Sequence, residues 1–255
     1  MQTKLKQELN NRLEYKYWIS DHFLDEFRAD MLPYMSYDPY AASRPEKQYT
    51  VRSIYLDTRK MKSYHEKMDG IRYRNKYRIR GYNTLTDSSQ IFLEIKQKNI
   101  DFISKTRVKT SYSDFLKLKN SWNPDEIDSY KNSEIRQSAD KFIFHYLSEN
   151  LIPITNVTYD REAFFCNYAS NLRISFDKAI RTRYPESISD IHGDHNLTVC
   201  RPGYTVIEIK FYQILPAWVP AIVSKYKLKR EAISKYTMCV DTLRKQHSLL
   251  TGTFS

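Results

Sequence analysis

The sequence predicts an α+β fold in which about eight strands, mostly antiparallel neighbours, curl with a charged face inward and amphipathic helices outside. Three observations predict it. Charged residues recur at every second position of several separate segments, as in Arg72, Arg74, Lys76, Arg78 and Arg80. Tyr is abundant (21) while Gly is scarce (5), a bias toward strands over glycine-rich loops. Between the alternating segments lie stretches whose apolar residues repeat at helical spacing.

Arg12 to Ile19 alternates charged and apolar residues and reads as the first strand. Asp21 is expected to cap a helix from His22 to Met31, with Phe23, Phe27 and Met31 on one face. Pro33 to Pro45 reads as loop. Tyr49 to Tyr55 is a second strand, and Asp57-Thr58 opens a short helix that runs to Met68 and ends at Gly70. Ile71 to Tyr82, Gln90 to Lys98 and Phe102 to Lys109 are three strands in quick succession, the last two joined by a hairpin turn at Asn99-Ile100-Asp101. Tyr112 to Asn150 is helical in pattern, with Phe142, Ile143, Tyr146 and Leu147 as its later stripe. Ile154 to Cys166, Leu172 to Arg183 and Tyr204 to Tyr212 complete the strands, with a polar loop from Tyr184 to Pro202. Pro216 to Lys225 and Arg230 to Leu243 are closing helices. No composition break marks a boundary, so residues 1–255 read as a single domain whose tail from Gln246 frays.

Bulk properties narrow the partners. Forty-one Lys and Arg against thirty acidic residues give a formal charge of +11, which attracts polyanions: nucleic acid, anionic membrane or phosphorylated small molecules. Cys166, Cys200 and Cys239 are an odd, widely spaced set, against a disulfide framework or zinc site and in keeping with a reducing cytosol. Neither a signal peptide nor an apolar run of membrane-spanning length is visible, so a soluble, cytoplasmic chain is expected.

The alternation carries the functional argument. Besides the five cations of residues 72–80, Arg12, Glu14 and Lys16 share a face, as do Glu94, Lys96 and Lys98; Lys105, Arg107 and Lys109; Arg173, Ser175 and Asp177; and Glu208 and Lys210. An ordinary sheet with one wet face would mix Thr, Ser, Glu and Lys. A row of like charges repels along the strand and across to its neighbours, so an anionic ligand or interleaved carboxylates must offset it. A chain of phosphates fits: Arg clamps its oxygens in bidentate fashion and Lys meets them as a point charge. Glu14, Glu94, Asp177 and Glu208 are candidate ligands for a divalent metal, and charge balance among the cations is their other role.

In order along the chain, Glu14-Tyr15-Lys16, Ser53-Ile54-Tyr55-Leu56-Asp57-Thr58, Lys76-Tyr77-Arg78-Ile79-Arg80 and Leu93-Glu94-Ile95-Lys96-Gln97-Lys98 are followed by Ser104-Lys105-Thr106-Arg107, Tyr159-Asp160-Arg161, Arg173-Ile174-Ser175-Phe176-Asp177, Glu208-Ile209-Lys210 and Ser234-Lys235-Tyr236. This series resembles the VTC-type polyphosphate polymerase domain of the triphosphate tunnel metalloenzyme superfamily, from about Arg12 to Tyr236. The resemblance implies a closed eight-stranded antiparallel β tunnel with a charged lumen, flanked by helices. It implies an ATP:polyphosphate phosphotransferase with Mn²⁺ or Mg²⁺, ATP and polyphosphate being its partners. Carried over, Arg78, Arg80, Lys96, Arg161 and Glu208 would act on the transferred group. Lys16, Lys76, Lys98, Arg107, Arg173, Lys210, Ser234 and Lys235 would bind substrate, and Glu208 with Glu14 would hold the metal. Arg12 stands where the superfamily's hydrolase branch places the first Glu of its E-x-E-x-K strand. Fungal relatives add a phosphate-sensing module and membrane helices, neither of which is in this sequence, so a membrane partner protein would have to supply that part.

Two other functions stay open: an inorganic or nucleoside triphosphatase on the same scaffold, and a non-catalytic module that binds polyphosphate or nucleic acid. Tyr15, Tyr17, Tyr73 and Tyr77 alternate with the cations and so lie on the opposite face, whereas nucleic-acid surfaces interleave the two. Nucleic acid is therefore not the expected partner. His192-Gly193-Asp194-His195 reads as a solvated loop rather than a metal site.

Overall fold

The computed structural model describes residues 12–86, 89–100, 102–127, 130, 133–168 and 171–251. Its strands are β1 (Arg12–Ser20), β2 (Met35–Tyr37), β3 (Tyr49–Asp57), β4 (Tyr73–Tyr82), β5 (Gln90–Asn99), β6 (Phe102–Ser111), β7 (Ile152–Cys166), β8 (Arg173–Arg183), β9 (Thr198–Val199) and β10 (Tyr204–Tyr212). The helices are α1 (Leu24–Met31), α2 (Pro39–Ala42), α3 (Lys62–Met68), α4 (Tyr112–Ser121), α5 (Ser133–Ser148), α6 (Trp218–Lys225) and α7 (Lys235–Thr251).

Local chemistry explains the departures from the predicted elements. Asp21 does not cap α1; it lies in a short 3-10 turn and accepts a hydrogen bond from the Thr205 hydroxyl at 2.7 Å. The Pro33–Pro45 stretch holds β2 and the short α2, which Asp38 caps by accepting from the Ala41 amide. The helical stretch after Tyr112 breaks in two because Trp122 is left-handed (φ 53°) and Pro124 follows it. The helix expected to open at Asp57-Thr58 begins only at Lys62, after a left-handed Met61 (φ 55°), while Asp57 ends β3 and accepts from the amides of Thr58, Ser63 and Tyr64. Gly70, at φ 71°, ends it. The Asn99–Asp101 turn is described only as far as Ile100, and Asp101 lies outside the described residues.

The strands hydrogen-bond in the order β1-β10-β8-β7-β3-β4-β5-β6, with β2 on β7 and β9 on β8. This corrects the expected closed tunnel: the antiparallel sheet is open, with β1 and β6 as its ends. Each end strand is guarded in its own way. The outer edge of β1 is taken by the segment before α7, through the Tyr17–Arg230 bridge and the Glu231 amide bonding the Lys16 carbonyl at 2.9 Å. β6 carries exposed Lys105, Arg107 and Lys109, charges that keep a sheet edge from adding a strand.

The chain divides into two compact units, Met1–Thr50 with Tyr159–Ile180 and Val199–Ser234, and Val51–Thr158 with Arg181–Thr198 and Lys235–Ser255. In the first, Tyr17, Ile19, Phe27, Met31, Phe164, Phe176, Ile207 and Ile209 form the core. In the second, Ile54, Tyr77, Ile79, Leu93, Ile95, Phe115, Leu118 and Phe142 do so, with α4 and α5 supplying the cover. Each core takes the apolar alternate residues of its strands, so the charged alternates share the opposite face.

Candidate phosphate-binding and metal-binding sites

In the second unit, strand register turns sequence alternation into rows across the sheet. Tyr55 pairs with Arg78, Arg78 with Glu94 and Glu94 with Arg107. One step along, Lys76 pairs with Lys96 and Lys96 with Lys105. On the other side, Ser53 pairs with Arg80, Arg80 with Phe92 and Phe92 with Lys109. Glu94 is fully buried and is the one carboxylate in these rows. Its Oε2 accepts from Arg78 Nε at 2.6 Å, with Arg80 Nε at 4.0 Å, and its Oε1 lies 2.5 Å from Lys105 Nζ and 3.0 Å from Arg107 Nε.

Burial pushes the Glu94 pKa up, but Arg78, Arg80 and Lys105 outweigh it and hold the carboxyl well below its ordinary range. Lys105 is pushed down from 10.5 to about 8, first by burial and then by Arg107 and Arg78, against the pull of Glu94. Arg107 lies over the Phe92 ring at 3.7 Å and donates to the Tyr82 hydroxyl at 3.1 Å. Lys76, Lys96, Lys105, Arg78, Arg80, Arg107 and Lys109 gather around the one carboxylate of these rows, which makes the face strongly cationic in a partly desolvated setting. Lys96 and Lys98 are half-buried, and Lys98 lines a pocket of about 320 Å³ with Arg74, Asn75 and Gln97. Lys76 Nζ lies 5.8 Å from the Tyr236 ring centroid, and Lys235, only 8% exposed, begins α7 directly after Ser234.

The first unit differs in balance. Glu14 pairs with Lys210 and Lys210 with Arg173, while Lys16 pairs with Glu208 and Glu208 with Ser175. Arg161 grips Asp177 with two bonds, Nε to Oδ1 at 2.6 Å and Nη2 to Oδ2 at 2.7 Å, and reaches Glu208 Oε2 at 3.3 Å. Lys210 Nζ donates to Glu208 Oε2 at 2.7 Å; Lys16 Nζ sits 3.2 Å from Glu14 Oε1 and 3.7 Å from Glu208 Oε1. Here Lys16, Lys210 and Arg161 meet Glu14, Glu208 and Asp177, so cations and carboxylates match. Burial opposes charge on the Arg161 guanidinium, but Asp177, Tyr159 and Glu208 raise its pKa well above the ordinary value. Lys210 is pushed down to about 8, chiefly by burial, with Glu208 and Glu14 opposing and Arg161 adding to the shift. Arg173 has a carboxylate of its own, Asp38, at 3.0 Å.

The donor set suits a hard divalent cation. Glu14 and Glu208 already converge on one cation, the Lys16 ammonium, and offer only oxygen donors. A second candidate metal centre lies in the loop after β8. Glu186, Asp190 and His195 place ligand atoms within 4.8 Å of one another. There Arg183 Nη2 contacts Asp190 Oδ1 at 2.5 Å and Arg183 Nη1 lies 3.2 Å from His195 Nε2, so a metal would compete with a buried guanidinium. This cluster corrects the solvated-loop reading of residues 192–195 in part: His195 is half-exposed, but it stands with two carboxylates.

The family model described as the VTC domain matches residues 11–244. The chain belongs to the VTC-domain family. No curated protein matches it. A solved structure, the putative adenylyl cyclase HpAC1 from Hippeastrum, described as having a dominant triphosphatase activity, aligns with 96% of this chain and 97% of its own at 12% identity and TM-score 0.48. Within this VTC domain, no helix of the described residues is long and apolar enough to cross a membrane.

The predicted site residues of the VTC domain thus fall into groups. Arg78, Arg80, Lys96, Lys76 and Arg107 lie in the rows around Glu94; Lys16, Glu14, Arg161, Glu208 and Lys210 form the balanced network; Arg173 stands beside Asp38. Sequence reasoning passed over Tyr55 and Lys105 as site residues, although the period-two rule applied to β3 and β6 finds both. It also placed aromatics opposite the cations, yet Tyr55, Tyr82 and Phe92 share the cationic face, so the segregation holds for Tyr77 and not for the face as a whole.

Proposed function

We propose that this VTC domain binds the phosphoanhydride chain of an inorganic or nucleoside triphosphate and catalyses metal-dependent transfer of its terminal phosphoryl group to water. The observation that carries the reading is the Lys76–Lys96–Lys105 row beside the Arg78–Glu94–Arg107 row. Three lysines directly opposite one another repel, and an anion lying over them relieves that repulsion. A triphosphate supplies several charged oxygens at spacings that rigid guanidinium forks can meet together.

In this mechanism the protein supplies no covalent nucleophile. Phosphoryl transfer depends on alignment and on neutralising the charge of the transferred group. Arg78 is preset by its bond to Glu94 and Arg80 by its bond to Ser53 Oγ at 3.1 Å, so both guanidiniums are oriented before substrate arrives. Within the first unit taken by itself, Glu14 and Glu208 would hold a divalent Mn²⁺ or Mg²⁺, with Lys16 and Lys210 yielding part of their hold. The chemistry such a cation would supply is neutralisation of phosphate oxygens. Asp177 keeps Arg161 in place beside Glu208.

The second reading, transfer to a growing polyphosphate chain, draws on the VTC-domain match and on Arg12, a cation where a hydrolase strand carries a carboxylate. Incubation with ATP or tripolyphosphate and Mn²⁺ separates the two: the first reading expects free phosphate, the second a polymer that stains as polyphosphate. Glu208→Gln should raise the metal concentration needed for half-maximal rate by about ten- to a hundred-fold. His195→Ala should leave it unchanged; the reverse pattern moves the metal to the Glu186–Asp190–His195 cluster.

A further inference from the structure

Tyr55 is a buried phenol, 8% exposed, whose hydroxyl is set among cations. Arg78 Nη1 donates to its oxygen at 3.0 Å, and no residue among those described accepts its proton. The ring is fixed from behind. Tyr236 stacks on it at 5.0 Å between centroids and 19° between planes, and the Tyr236 hydroxyl donates to Asp57 Oδ2 at 2.6 Å. Asp57 is fully buried and also holds the amides that begin α3, so this support is anchored in the core of the unit. A buried hydroxyl normally satisfies its donor capacity within the protein. Here the oxygen accepts from an arginine, and the hydrogen has only the cationic face to turn to.

We infer that Tyr55 is a substrate-binding residue of this site, its O–H donating to a phosphate oxygen of the bound triphosphate. This rests on the reading of the cationic face given above. Register supports it, since Tyr55 stands in the same row as Arg78, Glu94 and Arg107 and an oxygen held by the Arg78 fork lies within the phenol's reach. Electrostatics agrees. Burial raises the pKa of Tyr55, yet Arg78, Arg80 and Lys235 overcome that and hold it below 10.0. Cations that weaken the O–H bond make it a stronger donor to an anion. Tyr236 is a positioning residue in this scheme, acting through the stacked ring.

The test is calorimetric titration of tripolyphosphate, without added metal, into the full chain and its Tyr55→Phe variant. A tyrosinate absorbance titration is run beside it. Phenylalanine keeps the ring on Tyr236, so the fold should persist, with a modestly lower melting temperature from the lost Arg78 bond. The inference expects about ten-fold weaker binding by the variant. In the parent protein, one tyrosine should ionise below the usual value and shift upward when tripolyphosphate is present, because a nearby anion disfavours the phenolate. That transition should be missing from the variant. Equal affinities, or a tyrosine titration indifferent to tripolyphosphate, overturn the role of Tyr55 while leaving the cationic face in place. Failure of the parent protein itself to bind tripolyphosphate overturns both.

Discussion

Replacing Arg78 and Arg80 together by Ala should lower phosphate release from triphosphate by about 10³-fold or more, since removal of a single preset donor to developing charge already costs about 10²–10³. The two guanidiniums are oriented by groups that do not belong to the substrate, Glu94 for Arg78 and Ser53 for Arg80. The double variant therefore loses clamps and not merely charge. Its fold should persist, because Glu94 keeps Lys105 at 2.5 Å and Arg107 at 3.0 Å. A lowered melting temperature is expected nonetheless, as the carboxylate loses its closest buried partner. Circular dichroism and a phosphate-release assay check both points. Near-normal turnover in the folded variant would remove the proposed clamp.

Glu94→Gln should be the most damaging single change to stability, by about 3 kcal/mol, the lower end for breaking a buried ion pair, because Lys105 and Arg107 are partly exposed and solvent screens them. Glutamine fits the space but leaves the surrounding cations unneutralised. An added anion should then stabilise the variant more than the parent: tripolyphosphate should raise both melting temperatures, the variant's by the larger amount. The pH dependence has a definite sign. The folded pKa of Glu94 lies below its ordinary value of 4.5, so its stabilisation is complete above that value and is lost as pH falls through the folded pKa. The stability gap between parent and variant should be full at about pH 7 and shrink on acidification below about pH 4. A gap that stays constant into acid, or no gap at neutral pH, would show that Glu94 does not hold the cations together.

Much of this arrangement was legible in the sequence because side chains on a regular strand alternate faces. Arg78, Arg80, Glu94, Lys96 and Arg107 could be assigned to shared faces from spacing alone. Register was not legible. That Glu94 meets both Arg78 and Arg107 depends on how β4, β5 and β6 slide past one another, which turn geometry and core packing decide together. Nor could spacing reveal that Asp177 would be gripped by Arg161, which depends on how the neighbouring β7 and β8 align, or that Arg173 would find Asp38 on a distant segment. The expected closure of the sheet failed for a similar reason. Nothing in the alternation of β1 shows that its outer edge is filled by residues near Arg230, a stretch that reads as helix by its apolar spacing. Tyr55 illustrates an error of emphasis: Tyr73 and Tyr77 drew attention to the apolar face, and the tyrosine of the neighbouring strand fell on the other one.

The central claim is that the face around Glu94 recognises a chain of phosphates. Competition between a length series of polyphosphates and single-stranded oligonucleotides of matched charge, for the unmodified protein carrying a labelled tripolyphosphate, tests it most directly. The account predicts that tripolyphosphate and longer polyphosphates displace the label, that oligonucleotides do so far less well, and that the Arg78/Arg80 double variant fails to retain the label. Displacement by oligonucleotides at equal or lower concentration would contradict it, because bases stacked on Phe92, Tyr82 and Arg107 would then account for the face better than phosphate clamping does.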